Sequence, residues 1–281
     1  MNCIMNFDNL AREGYQVVRG VLNEEEVALA KRLWLEWYEA NGLGRYPVPP
    51  HGVIPYWQVG HTSAAWYIRT HPAVRGVFER LWGDRNLVVS FDGACYYPPE
   101  LRRKNSSQGW IHVDQGGEDI FKCVQGFVAL TDNVDATLGV VPRSHLDFAE
   151  NIKRNGGTKA NFVKMAHYTA QDLVRVPAQA GDLVIWDSRV AHQNFYGENE
   201  LRLVQYVSYL PRRGARTRDL EKRLINWRNK RTTTHWAYPP RVNGLQPNNR
   251  GGGGFKIDYT NIVDPGEWVF SEYASEINKL I

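Results

Sequence analysis

The chain has 281 residues, 43% hydrophobic and 23% charged, which suits one sizeable core or at most two small ones. No apolar run approaches the roughly 20 residues of a membrane-spanning helix, and the opening MNCIMNFDNL lacks the basic start and apolar stretch of a secretory leader. Cys3, Cys95 and Cys123 form neither a disulfide framework nor a CxxC metal or redox motif, so the expectation is a soluble protein of a reducing compartment, the cytoplasm.

The first elements read as helix, strand, helix. NLAREGYQVVRGVLNEEEV predicts a short helix, a strand over Tyr15 to Arg19, and a longer helix capped by Asn23. Three glutamates in its first turn suit the helix dipole. Val27, Ala30, Leu33, Trp34 and Trp37 recur at helical spacing behind them. A Pro/Gly-rich loop, GLGRYPVPPHGVIPYW, leads to a second amphipathic helix over HPAVRGVFERLW, with Val74, Phe78 and Leu81 on one face.

From about residue 87 the period changes. NLVVSFDGACYY, GWIHVDQ, FKCVQGFVALT, LGVVP, DLVIWD and LRLVQYVSYL are short β-rich runs separated by turn residues. Many short strands without helical crossovers predict an antiparallel sandwich or barrel. After residue 212 the pattern is helical again, with Leu220, Leu224 and Trp227 spaced to dock, followed by NNRGGGG and a last short helix. The expected organisation is one domain over 1–281: a helical part to about 86, a β core over 87–211 and a helical extension over 212–281.

Window 212–231 carries nine Lys or Arg against Asp219 and Glu221, so it holds +7 of a net charge of +4 and leaves −3 for the rest. A solvated helix face is the plainer reading, and an anionic ligand or nucleic acid is the alternative partner.

The chemistry starts at GWIHVDQG. On a strand, side chains alternate faces, which places Trp110, His112 and Asp114 together and brings an imidazole and a carboxylate within reach of one ion. HxD alone is common. Its weight comes from GDLVIWDSRVAHQNF, where a second strand delivers His192, and from Arg202 ten residues on. Two histidines and one carboxylate on one side of a metal leave open positions, which suits non-haem Fe(II) oxygenases. An arginine nearby needs a carboxylate partner, which a dicarboxylic cosubstrate would supply bidentately.

Four segments, EGYQVVRGVLNEEEV, IHVDQ, ATLGVVPRSH and GDLVIWDSRVAHQN with Arg202, together resemble the phytanoyl-CoA dioxygenase-type Fe(II)/2-oxoglutarate-dependent oxygenases in the right order over residues 8–210. The resemblance implies a double-stranded β-helix (jelly-roll) core with flanking helices. It implies His112, Asp114 and His192 as iron ligands and Arg202 as partner of the distal carboxylate of 2-oxoglutarate. Also implied is hydroxylation of a small-molecule substrate by O2, with release of succinate and CO2. Related halogenases replace the carboxylate ligand by a small residue, so Asp114 argues against halogenation. The family's usual PGSH turn reads PRSH here, and Arg143 in the glycine position predicts a changed backbone.

Other residues carry weaker expectations. Asn194 is placed to reach the cosubstrate, as polar residues there do in relatives. Gln125, on an inward face with Phe127 and Ala129, needs a partner that cosubstrate or substrate could supply. Trp110 is either core packing or pocket wall, and Asp92 either a turn residue or a pocket acid. His145 belongs to a structural turn, while His51, His61, His71, His167 and His235 lack partners at ligand spacing. Arg102, Arg103 and Lys104 are expected in a solvated loop beside the site entrance. The alternative function is an oxygenase-like fold that only binds a ligand or nucleic acid, or one that modifies nucleic acid.

Overall fold

The computed structural model describes residues 6–47, 49, 51–101, 109–157, 160–195, 197, 199–247 and 255–281. Cys3 and the Arg102–Lys104 run lie outside them. The first helix, Asp8–Glu13, turns through Gly14 at φ 86° into the strand Tyr15–Val18. Asn23 caps the helix Glu24–Ala40: its side chain accepts from the Glu26 N–H at 2.9 Å, and the Glu26 carboxylate accepts from the Asn23 N–H at 2.8 Å. That reciprocal pair satisfies two N–H groups the helix cannot pair itself. The five apolar residues at helical spacing are buried. Pro72–Trp82 buries Val74, Val77 and Phe78, with Leu81 half-buried. Between them lies a helix without an amphipathic signature, Ser63–Thr70, whose eight residues are all buried. A helix covered on every side has no polar face to give it a period.

The strands form a double-stranded β-helix. One sheet has six strands in the order Tyr15–Val18, Leu183–Asp187, Val124–Ala129, Arg202–Val207, Ala94–Tyr97, Val53–Ile54. The facing sheet has five, Val163–Lys164, His112–Val113, His192–Asn194, Asn133–Val140 and Val174–Ala178. Every pairing is antiparallel among the described strands. A short ribbon pairs Leu87–Val89 with Tyr209–Pro211.

Strand alternation divides the core. Val124, Val128, Leu183, Ile185 and Leu203 face the helices, where they join Leu33, Trp34 and Trp66. Their neighbours Phe127, Ala129, Val184, Trp186 and Val204 face the opposite way and pack between the sheets with Leu138 and Val176. Arg202 and Gln125 fall on this inner parity. The six-stranded sheet is therefore covered on both faces, and polar side chains on the inner one sit in a space walled by apolar groups.

The helix Thr217–Arg228 departs from expectation. Leu220 and Trp227 pack inward, but Leu224 is 42% exposed and the buried positions are Asp219, Arg223 and Asn226. Arg223 explains the inversion. Its guanidinium donates to the carbonyls of Val89, Ala237, Leu280 and Ile281 at 2.8–3.1 Å, joining the ribbon, the chain end and the segment after the helix. Carbonyls at the end of Ala274–Leu280 have no intrahelical partner, and a cation there also suits the helix dipole.

Candidate active site

Antiparallel register brings the two histidines together. His192 is the direct cross-strand partner of His112, and adjacent strands hold the rings 4.3 Å apart between centroids. Asp114 follows the strand end, its backbone N–H donating to the Ser188 carbonyl at 3.0 Å. Its carboxylate faces both rings: Oδ1 lies 3.5 Å from His112 Nε2 and Oδ2 lies 3.4 Å from His192 Nε2. The three ligand atoms fall within 4.8 Å of one another, a span a first-row metal ion with bonds of about 2.0–2.2 Å can bridge.

Both histidines are oriented by their own strands. His112 Nδ1 contacts the Trp110 carbonyl and His192 Nδ1 the Val190 carbonyl, each at 2.9 Å. A carbonyl only accepts, so each Nδ1 carries a proton, and each Nε2 is the atom turned toward the Asp114 carboxylate. Burial, and then the facing His112, lower the His192 pKa and favour the neutral ring that a metal needs. Burial alone would raise Asp114, but His112, His235 and His192 around it hold the carboxyl well below the ordinary range.

The three ligands open onto a cavity of about 690 Å³. Gln125, Asn194, Trp110 and Asp92 line it. Trp110 stacks on His112 at 5.1 Å and 17°, and Phe162 stacks on the same ring at 4.4 Å and 24°. Trp110 is thus pocket wall. Asp92 is a buried acid rather than a turn residue: Ser90 Oγ donates to it at 2.6 Å, and Arg69 stands 3.6 Å away. Burial raises its carboxyl to about 6 against the pull of Arg69.

Arg202 does not line the cavity. Its side chain is fully buried beside the Phe127 ring, and among the described residues none of its three guanidinium nitrogens has a hydrogen-bond partner. Cys95 and Tyr206 lie close enough to feel its charge, and Tyr206 in turn meets Asn194. Gln125 Nε2 is a further buried donor without an acceptor. An unpaired guanidinium in a dry interior is costly unless an anion completes it.

A family model described as Phytanoyl-CoA dioxygenase (PhyH) matches residues 10–195. The chain belongs to the phytanoyl-CoA dioxygenase family. Among curated proteins it is 27% identical over 263 residues to "Ava biosynthesis cluster protein O" of Aspergillus versicolor, covering 81% of this chain and 84% of that one. Two solved structures share the fold. The non-haem alpha-ketoglutarate-dependent carbocyclase SnoK from nogalamycin biosynthesis superposes with a TM-score of 0.53 at 21% identity, over 72% of this chain and 82% of its own. The epimerase SnoN, in complex with Fe3+, alpha ketoglutarate and nogalamycin RO, gives 0.51 at 21%, over 72% and 81%.

The residues fit the cofactors of such a family member. Two neutral imidazoles and a carboxylate on one side of a site suit ferrous iron. The orphaned donors of Arg202 and Gln125 suit 2-oxoglutarate, a dicarboxylate, and the cavity has room for both the diacid and a second molecule.

Three sequence expectations need amendment. Arg143 does adopt the glycine-like conformation of its turn, at φ 65°, so the side chain changes while the backbone is kept. His51 and His235, set aside for want of ligand spacing, both line the cavity. They arrive from loops remote from the HxD strand, and no periodic pattern marks them. His145 is structural, its Nε2 on the Ala11 carbonyl at 3.0 Å.

Proposed function

We propose that this family member hydroxylates a small organic molecule, converting R–H, O2 and 2-oxoglutarate into R–OH, succinate and CO2. The observation that carries the reading is the cluster of His112, Asp114 and His192 ligand atoms at the wall of a cavity large enough for cosubstrate and substrate together. Iron and 2-oxoglutarate, when bound, supply the oxidising chemistry that activates O2. The chain does the rest. His112 and His192 keep their Nε2 lone pairs aimed by their bonds to backbone carbonyls, and Asp114 fills the ligand position a halide would need. Arg202 is assigned to the distal carboxylate of 2-oxoglutarate, with Gln125 and Asn194 as further donors. Trp110, Phe162 and Trp186 exclude water from the reacting centre.

A small-molecule substrate is favoured over nucleic acid. The basic segment 212–231 is partly engaged within the chain: Arg212 bonds Asn86 and the Lys279 carbonyl, Arg213 pairs with Asp84 and Arg216 with Asp219 at the surface, and the buried Arg223 holds four carbonyls. SnoK comes from nogalamycin biosynthesis, SnoN is in complex with nogalamycin RO, and the Aspergillus relative is named for a biosynthesis cluster. We read 1–281 as one oxygenase domain, because Thr234 and His235 wall the same cavity as the core strands.

Anaerobic addition of Fe(II) and then 2-oxoglutarate is expected to give the charge-transfer absorption of the chelate. Folded wild-type protein without that band overturns the oxygenase reading.

A further inference from the structure

The family match ends at residue 195, yet part of the cavity wall comes from well beyond it. Segment 232–243 is fixed rigidly. Thr233 exchanges bonds with Phe91, its N–H to the Phe91 carbonyl at 2.8 Å and its Oγ1 accepting from the Phe91 N–H at 3.1 Å. Thr232 Oγ1 accepts from the Gly60 N–H, Thr234 and Arg241 pair through their backbones, and Asn243 Nδ2 donates to the Thr233 carbonyl. Trp236 Nε1 donates to the carbonyl of Asp114 itself, at 3.2 Å. A segment tied at this many points presents its side chains in one place.

Two of those side chains line the cavity with a polar atom left over. Thr234 Oγ1 and His235 Nε2 are buried atoms that have no hydrogen-bond partner among the described residues. An imidazole with one N–H has one bare nitrogen, so the unpartnered Nε2 of His235 can meet a polar group of a ligand as an acceptor. Adjacent buried polar atoms without partners, in a fixed segment, are what a binding site for a polar group requires. Trp110, Phe162, Trp186 and Leu138 give the wall flat apolar faces beside the polar Asp92, Gln125, Asn194, Tyr206 and Asn243, and no Lys or Arg is among the described residues lining the cavity.

From this, and resting on the oxygenase reading of the site, we infer that Thr234 and His235 form the substrate-recognition subsite. They bind the hydroxyl or N–H of an uncharged, ring-bearing molecule, with His235 Nε2 accepting its proton and Thr234 Oγ1 completing the bond network. Acyl-CoA thioesters, whose phosphates need cationic partners, are disfavoured by this wall, which among the described residues offers none.

The test uses full-length protein loaded with Zn(II) and 2-oxoglutarate, which binds without turnover. Calorimetry compares uncharged fused-ring alcohols, their O-methyl ethers and octanoyl-CoA. Wild-type protein is expected to bind the best alcohol at least tenfold more tightly than its ether, and to bind octanoyl-CoA more weakly than either. His235→Ala and the near-isosteric Thr234→Val are each expected to erase the alcohol preference while keeping ether affinity within about twofold. His235→Gln, which retains an acceptor, is expected to restore part of it. Binding of 2-oxoglutarate, measured first, separates the two readings. If it fails in wild type, the oxygenase reading falls and this one with it. If it succeeds but alcohols and ethers bind alike, no alcohol binds, or octanoyl-CoA binds best, this inference alone is overturned.

Discussion

Arg202 and Arg223 are both fully buried, and their surroundings are opposite. Around Arg223 four carbonyls converge, and burial, with Arg212 and Arg69 nearby, brings its pKa down to about 9. Around Arg202 there is an aromatic face and, among the described residues, no hydrogen-bond acceptor. The first guanidinium closes a junction between the C-terminal helices and the core. The second is held ready for something the chain does not contain. Burial alone therefore says nothing about role; the tally of partners does.

The largest effect probes the proposed metal ligands. His112→Ala or His192→Ala is expected to lower succinate formation at least about a hundredfold, because the metal loses an oriented donor. Persistent iron-dependent turnover in both variants would remove the site from the reaction. Next come the two arginines. Arg223→Met leaves several buried carbonyls unpaired, and urea unfolding should show a loss of roughly 3 kcal/mol or more. Arg202→Met removes an unpaired buried charge, so stability should move by less than about 1 kcal/mol while KM for 2-oxoglutarate rises on the order of 10- to 100-fold. Similar stability losses in the two variants would erase the contrast.

Asp92 extends the comparison to a buried acid. Its folded pKa of about 6 stands above the ordinary 3.8, so the stability it contributes is full below 3.8 and lost as pH rises through 6. Asp92→Asn lacks this titration. Between pH 4 and 7 the stability of wild type relative to the variant should fall by about 2–3 kcal/mol, and a pH-independent difference would show that Asp92 does not titrate in that window. The smallest effect concerns exposed cations on the helix that carries Arg223. Arg218→Gln with Lys222→Gln and Arg228→Gln should change stability by less than about 0.5 kcal/mol per site and leave kcat/KM within about twofold.

Much of the metal centre could be read from the sequence because strands have a period of two. That period places His112 with Asp114, and Gln125 with Phe127, on shared faces, and it carries Arg202 inward with Val204. The helix Ser63–Thr70 was not legible, since a segment buried on all sides shows no alternation. The inner face of Thr217–Arg228 was misread for a related reason. Hydrophobic spacing pointed to Leu224, whereas the unpaired carbonyls of other segments recruited Arg223. His235 has no partner within its own stretch of sequence. Its place beside Asp114 comes from tertiary contacts made by Thr233 and Trp236, which single-sequence spacing does not encode.

The pairing of His192 with His112 makes the metal centre a gauge of strand alignment. A slip of one residue would present Ala191 or Gln193 opposite His112 and turn the second imidazole to the far face. Iron held by both proposed ligands would be a rivet between two short strands some 80 residues apart in sequence. Its loading should slow amide exchange at 112–113 and 192–194 together, long before any substrate arrives.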